Sequence, residues 1–227
     1  MIRAKGIVLI ISGAILWGAT GPLIEWILSN SELSVPFMLT VRLLVAGLGL
    51  LAFLKIKGTP LKPIWHHSYW FKKLIIFALF GMLGVQYAFV AAIEASDAVV
   101  ATLLQFLAPI FVVIFVSWGL KKWPPMYQLF GIIGTLFGLF LLLTNGSFTN
   151  LLLSPVALAW GIAVGLSFAF YTLYPGSLMK EWGVLLVVGW SMLIGGAVLG
   201  IITRVWQSEE WSLLLDWKLS ILLLTVI

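Results

Sequence analysis

The chain of 227 residues has no cysteine and only two histidines. Without thiols, no disulfide, thiolate nucleophile or cysteine-ligated metal can form. Charge is scarce too: Asp, Glu, Lys and Arg make up 9% of the residues, against about 25% in soluble domains. So few charged groups cannot cover a water-exposed surface of this size. That excludes an ordinary cytosolic enzyme, a nucleic-acid binder and a disordered chain. The excess of 13 Lys+Arg over 8 Asp+Glu is therefore no nucleic-acid footprint. There is no P-loop, H-E-x-x-H or G-x-S-x-G motif, so neither an ATP site nor a cofactor is expected. His66 and His67 stand in a basic loop without acidic or thiol neighbours, and no metal site is expected there.

What is present is apolar. Hydrophobic residues make up 62% of the chain, and the mean hydropathy is +1.15. A bilayer core of ~30 Å takes about 20 apolar residues as helix. Seven such runs occur, roughly 5–28, 35–54, 74–93, 97–118, 127–144, 155–179 and 183–206. They are continuously apolar rather than alternating, which favours helices over barrel strands. The basic start and apolar run of MIRAKGIVLIISGAILWG outlast a signal-peptide core and read as an uncleaved first helix. An eighth run starts near Trp217 and has 11 residues to Ile227. As helix it reaches only ~16 Å. It reads as part of an eighth helix in a longer protein.

Loop charges set the expected orientation. Arg3, Lys5, Lys55, Lys57, Lys62, Lys72, Lys73, Lys121, Lys122 and Lys180 all fall on one side of the first six spans. The opposite loops SNSELS and NGSFTNLLLS carry no basic residue. The positive-inside rule puts the N-terminus in the cytoplasm. Ten of the twelve tryptophans stand at or near span ends or in loops, an aromatic belt; Trp17 and Trp190 are the exceptions.

Several stretches resemble EamA-type transporters of the drug/metabolite transporter superfamily. They are GAILWGATGP, TVRLLVAGLGL, AAIEASDAVVATLLQFLAPIF, GIIGTLFGLFLLLTNG and LSPVALAWGIAVGLSFAFYTLYP. The resemblance implies an all-α bundle of ten helices in two inverted five-helix repeats. Residues 1–148 would hold the first repeat, and 149–227 helices 6, 7 and part of 8. It implies a secondary transporter, an exporter of small organic metabolites or drugs, in the plasma membrane. One departure stands out. The family often has a Gly-Glu-Arg turn after helix 4, and here it reads Gly119-Leu120-Lys121-Lys122. Inverted-repeat sites draw on both halves and lie near the midplane. The expectation is a cavity walled by helices 1, 3, 4 and 6, and no transport from these 227 residues alone.

Few residues carry chemistry at membrane depth. Pro22, Pro109 and Pro175 fall inside expected helices, and each withholds an N–H from the carbonyl four residues back, on Gly18, Gln105 and Tyr171. Broken helices with free carbonyls mark transporter sites; simple packing kinks are the plainer reading. Trp17, Gly18, Gln86, Tyr87, Gln105 and Tyr171 are the substrate-binding candidates, with interhelical hydrogen bonding as the alternative for the polar ones. Their aromatic faces suit planar or amphipathic molecules and could hold cations. Glu25 and Arg42 are expected to neighbour one another and to form a structural charge pair, with proton coupling through Glu25 as the second reading. Asp97 stands where an N-cap belongs. Three Gly-xxx-Gly pairs (Gly134/Gly138, Gly161/Gly165, Gly196/Gly200) signal close helix packing, and nothing further supports a homo-oligomer. The expected partners are lipid, a small-molecule substrate and H⁺. The rival reading is a membrane-embedded enzyme acting on a lipid-linked substrate.

Overall fold

A computed structural model describes residues 2–144 and 153–226, with side chains from Gly6 to Thr144 and from Leu153 onward. The boundary expected at 148–149, and most of the loop NGSFTNLLLS, lie outside these residues. Every described regular element is helical. Seven helices are long and apolar enough to cross a membrane: α1 (Ile2–Asn30), α2 (Val35–Ile56), α3 (Ser68–Ala95), α4 (Ala98–Leu120), α5 (Met126–Thr144), α6 (Pro155–Leu173) and α7 (Val184–Thr203). A further helix, α8, covers Trp217–Thr225. The chain is thus a multi-pass all-α membrane bundle. Below, the near face is the side holding the N-terminus and the far face is its opposite.

Two spans depart from the sequence reading. The third is longer than expected, because the polar start at Ser68–Lys73 continues the helix. Its centre is π-helical over Phe77–Leu83, an extra residue in the turn that apolar periodicity does not reveal. The sixth is shorter. It ends at Leu173, a turn carries Pro175, and a separate short helix follows at Gly176–Trp182. Pro175 therefore caps a new helix rather than kinking α6. By contrast α1 runs unbroken through Pro22.

Small residues position the bundle's central pair. α2 and α7 pack along most of their length. A Cβ at Gly47 would stand 2.8 Å from the backbone nitrogen of Leu193 and 3.0 Å from the carbonyl oxygen of Gly189. Gly196 and Gly200 meet Leu43, Leu44 and Thr40 of α2 in the same seam. Gly161 and Gly165 seat α6 against Leu104, Leu107 and Phe111 of α4. Gly134 and Gly138 differ: a Cβ added at either would meet no neighbouring element within 4 Å. That pair makes no helix contact among the described residues, and α5 is the least buried span after packing.

The far face is closed. A core of fully buried Ile24, Ile27, Met38, Leu39 and Ala92 gathers α1, α2 and α3, and Leu219 and Leu223 of α8 join it. Carboxylates pin the helix ends above this core. Glu210, in the segment after α7, accepts from the Ser34 N–H at 2.6 Å and from Ser34 Oγ at 2.9 Å. Ser34 in turn caps α2 by accepting from Phe37 N–H. Trp211 stacks edge-on to Phe37 at 5.0 Å and donates its Nε1–H to the Val205 carbonyl. Asp97 caps α4, accepting from Val100 N–H at 2.7 Å. The near face is pinned by aromatics instead. Trp190 of α7 donates to the Leu61 carbonyl at 3.1 Å and packs edge-on to Trp65. That bond explains a tryptophan well inside its span: the loop before α3 folds back to meet it.

Candidate functional site: a polar cavity between five helices

A cavity of about 220 Å³ lies between α1, α2, α3, α4 and α6. Four of the six expected binding residues line it: Trp17, Gln86, Gln105 and Tyr171. The α2 wall adds Arg42. Gly18 and Tyr87 do not contribute. Successive helical residues point about 100° apart. Gln86 therefore faces the cavity while Tyr87 turns to α6, where its ring meets Trp160 at 5.7 Å. Gly18 stands beside open space.

The lining that sequence reading missed follows helical spacing. Met82, inside the π-helical turn, and Val85 and Phe89 just after it line the cavity beside Gln86 on α3. Phe168 stands one turn before Tyr171, and Thr20 one turn after Trp17. The signal was there: each missed residue except Val85, the neighbour of Gln86, is three or four positions from one that was named. The rings form a row, with Trp17 and Phe168 centred 5.9 Å apart and Tyr171 at 6.0 Å from Phe168 and 5.4 Å from Phe77.

α4 is interrupted beside the cavity. Its first segment ends at Gln105 and its second begins at Ala108, with Pro109 in the first turn. Phe106 and Leu107 bridge the two through tighter bonds to the carbonyls of Leu103 and Leu104. Pro109 offers no N–H to the Gln105 carbonyl, so the regular ladder cannot pass this point. The break places the Gln105 amide on the cavity wall.

Glu25 and Arg42 do not form the expected pair. The Ala98 N–H donates to Glu25 Oε2 at 3.0 Å, and Arg42 Nη1 donates to Gln86 Oε1 at 3.3 Å. The reason is topological. The α3–α4 turn sits over the end of α1 and offers Glu25 the free N–H at the start of α4. Arg42, lower on α2, faces α3. A glutamine at position 25 keeps an acceptor oxygen for Ala98, whereas leucine strands the N–H at a cost of about 1–3 kcal/mol. Glu25→Gln is thus expected to melt within a few degrees of the parent and Glu25→Leu clearly lower, in detergent thermal melts. Equal melting of the leucine variant would show that the carboxylate does not cap α4.

The cavity opens beside the first half of α1. Residues 7–19 are exposed, whereas from Gly21 onward the helix packs on α3 and α4. Phe89, which lines the cavity, packs against the far-face core, and that core closes the cavity on its side.

The described residues thus form a multi-pass helical bundle with a part-polar cavity closed at one end. The chain matches the model of the EamA-like transporter family over residues 4–144, and it belongs to that family. It is also 40% identical over 195 residues to a Salmonella typhimurium protein named "Uncharacterized inner membrane transporter YicL". That alignment covers 86% of this chain and 65% of the relative, so the chain spans about two-thirds of the relative's length. No solved structure gives a significant match.

Proposed function

We propose that the intact protein is a secondary transporter that exports small organic molecules by alternating access. The observation that carries this reading is the cavity: polar groups from five helices converge at membrane depth, with one end closed. Polar side chains in lipid are costly and collect where substrate or ions pass. The volume of about 220 Å³ is below the ~300–1,000 Å³ of drug-sized pockets, which favours small metabolites. The near face would be cytoplasmic, as the loop charges argue, which would put the far-face core on the outside. The two halves, residues 1–148 and 149–227, would belong to inverted repeats that rock about the cavity. Export against a gradient needs a coupling ion, and H⁺ antiport is the proposed one. Glu25 is not its carrier in this reading, because its carboxylate is committed to the start of α4.

The test is transport by the intact protein in proteoliposomes, under an imposed pH gradient and without one. Movement of a small metabolite that follows the gradient supports the proposal. Chemical conversion of a lipid-linked substrate without transport would favour the membrane-enzyme reading and overturn it.

A further inference from the structure

Among the described residues, the cavity wall holds one full positive charge and no negative one. Arg42 lines it from α2, half-buried, at a depth two turns from the end of the helix. A guanidinium presents five N–H donors in a rigid fork. Here one of them is engaged, at the long distance of 3.3 Å to Gln86 Oε1. The acid that the sequence places nearest, Glu25, is spent on Ala98 N–H. Among the described residues no carboxylate pairs with Arg42. An unpaired cation at membrane depth is expensive and is ordinarily matched by a partner of opposite charge. The other polar lining groups, the Gln105 amide, the Thr20 hydroxyl and the Tyr171 hydroxyl, are neutral. Beside them runs the aromatic row, with Trp17 and Phe168 5.9 Å apart.

We infer that the cavity takes an organic monocarboxylate with a flat apolar body. The carboxylate would accept two parallel N–H bonds from Arg42, a geometry the fork favours. Gln86, already bonded to Arg42, would hold the fork in place. The apolar body would lie along Trp17 and Phe168. One arginine compensates one negative charge, which selects a carboxylate over a doubly charged phosphate ester. A cation held on the aromatic faces, the expectation from sequence, would meet a like charge in the same small space. This inference rests on the reading of the cavity as the transport site.

The test uses the intact protein in detergent and three indole probes of like shape: indole-3-acetate, its neutral amide and the cationic tryptamine. Binding is read by isothermal titration. The carboxylate is expected to bind at least ten-fold more tightly than either analogue. Arg42→Gln should erase that preference, and Arg42→Lys should keep part of it. Because Arg42→Gln could fold poorly, Gln86→Leu gives a second arm: it leaves the charge but frees the fork, and should cost the carboxylate about ten-fold while sparing the amide. Tighter binding of the amide or tryptamine, no binding of any probe, or an unchanged preference in folded Arg42→Gln would overturn the inference. Failure of the underlying reading looks different. The Arg42-dependent preference would then persist in detergent while proteoliposomes show no movement of the carboxylate across the membrane.

Discussion

Replacing Gly47 with leucine is expected to remove most of the folded protein. The added Cβ would stand 2.8 Å from Leu193 N and 3.0 Å from Gly189 O. Both are backbone atoms of α7, and a packed helix backbone cannot swing aside as a side chain can. Gly189 is itself confined, with Leu51 side-chain atoms 3.0 Å from its own Cβ position. Overpacking of this kind costs about 1–3 kcal/mol even where neighbours can adjust. In a membrane bundle, close backbone approach is a main source of helix association. Gly49→Leu is the control, because a Cβ added at Gly49 would meet no neighbouring element within 4 Å. Size-exclusion profiles and thermal melts in detergent decide the matter. A monodisperse Gly47→Leu protein with the parent's melting temperature would mean that α2 and α7 do not meet at this point.

Gly161→Leu is expected to lose both stability and transport. A Cβ there would stand 2.8 Å from Leu104 Cβ and Cγ. Leu104 is fully buried in a cluster with Leu143 and Ala157 and has little room to yield. The first segment of α4 must then shift, and it carries Gln105, the next residue along. The interrupted ladder after Gln105 makes that segment easier to displace than an intact helix. Transport in proteoliposomes is expected to fall at least ten-fold, with a lower melting temperature. Gly134→Leu, at the first residue of a motif with the same spacing, should behave like the parent because its surroundings are open. Equal effects at the two positions would refute the assignment of one motif as a packing seam and the other as an exposed face.

The motifs show where sequence reading is strong and where it stops. Three Gly-xxx-Gly pairs look alike in the chain. Two of them seat helices and one does not, because the pattern states only that close approach is allowed. What approaches depends on which helices the fold brings together. Glu25 gives the same lesson from electrostatics. Its depth made a partner necessary, and a short α1–α2 loop made Arg42 the natural choice. The α3–α4 turn, distant in sequence, supplied a backbone N–H instead. The cavity was half legible. Trp17, Gln86, Gln105 and Tyr171 stood out as polar or aromatic residues at membrane depth, while Tyr87 was misplaced by one helical step. Met82, Val85, Phe89 and Phe168 are ordinary apolar residues of a membrane span, and only the direction each faces distinguishes them.

The sequence by itself determined the solvent, the number of long spans and the start of α4 at its Asp97 cap. Hydropathy over about 20 residues depends only on composition. A proline's missing N–H acts within one helical turn, so the sequence marked Pro22, Pro109 and Pro175 as weak points, and the structure decided which of them interrupts its helix. The tertiary structure alone decided where α6 ends, that α3 carries a π-helical turn, and which acceptor each buried donor meets. It also decided that Arg42 faces a cavity in which the described residues place no counter-charge. These features depend on contacts between residues tens of positions apart, such as Arg42 with Gln86 and Ser34 with Glu210. Such pairings leave no periodic trace in the chain, because their geometry comes from how helices cross and not from what any one of them contains.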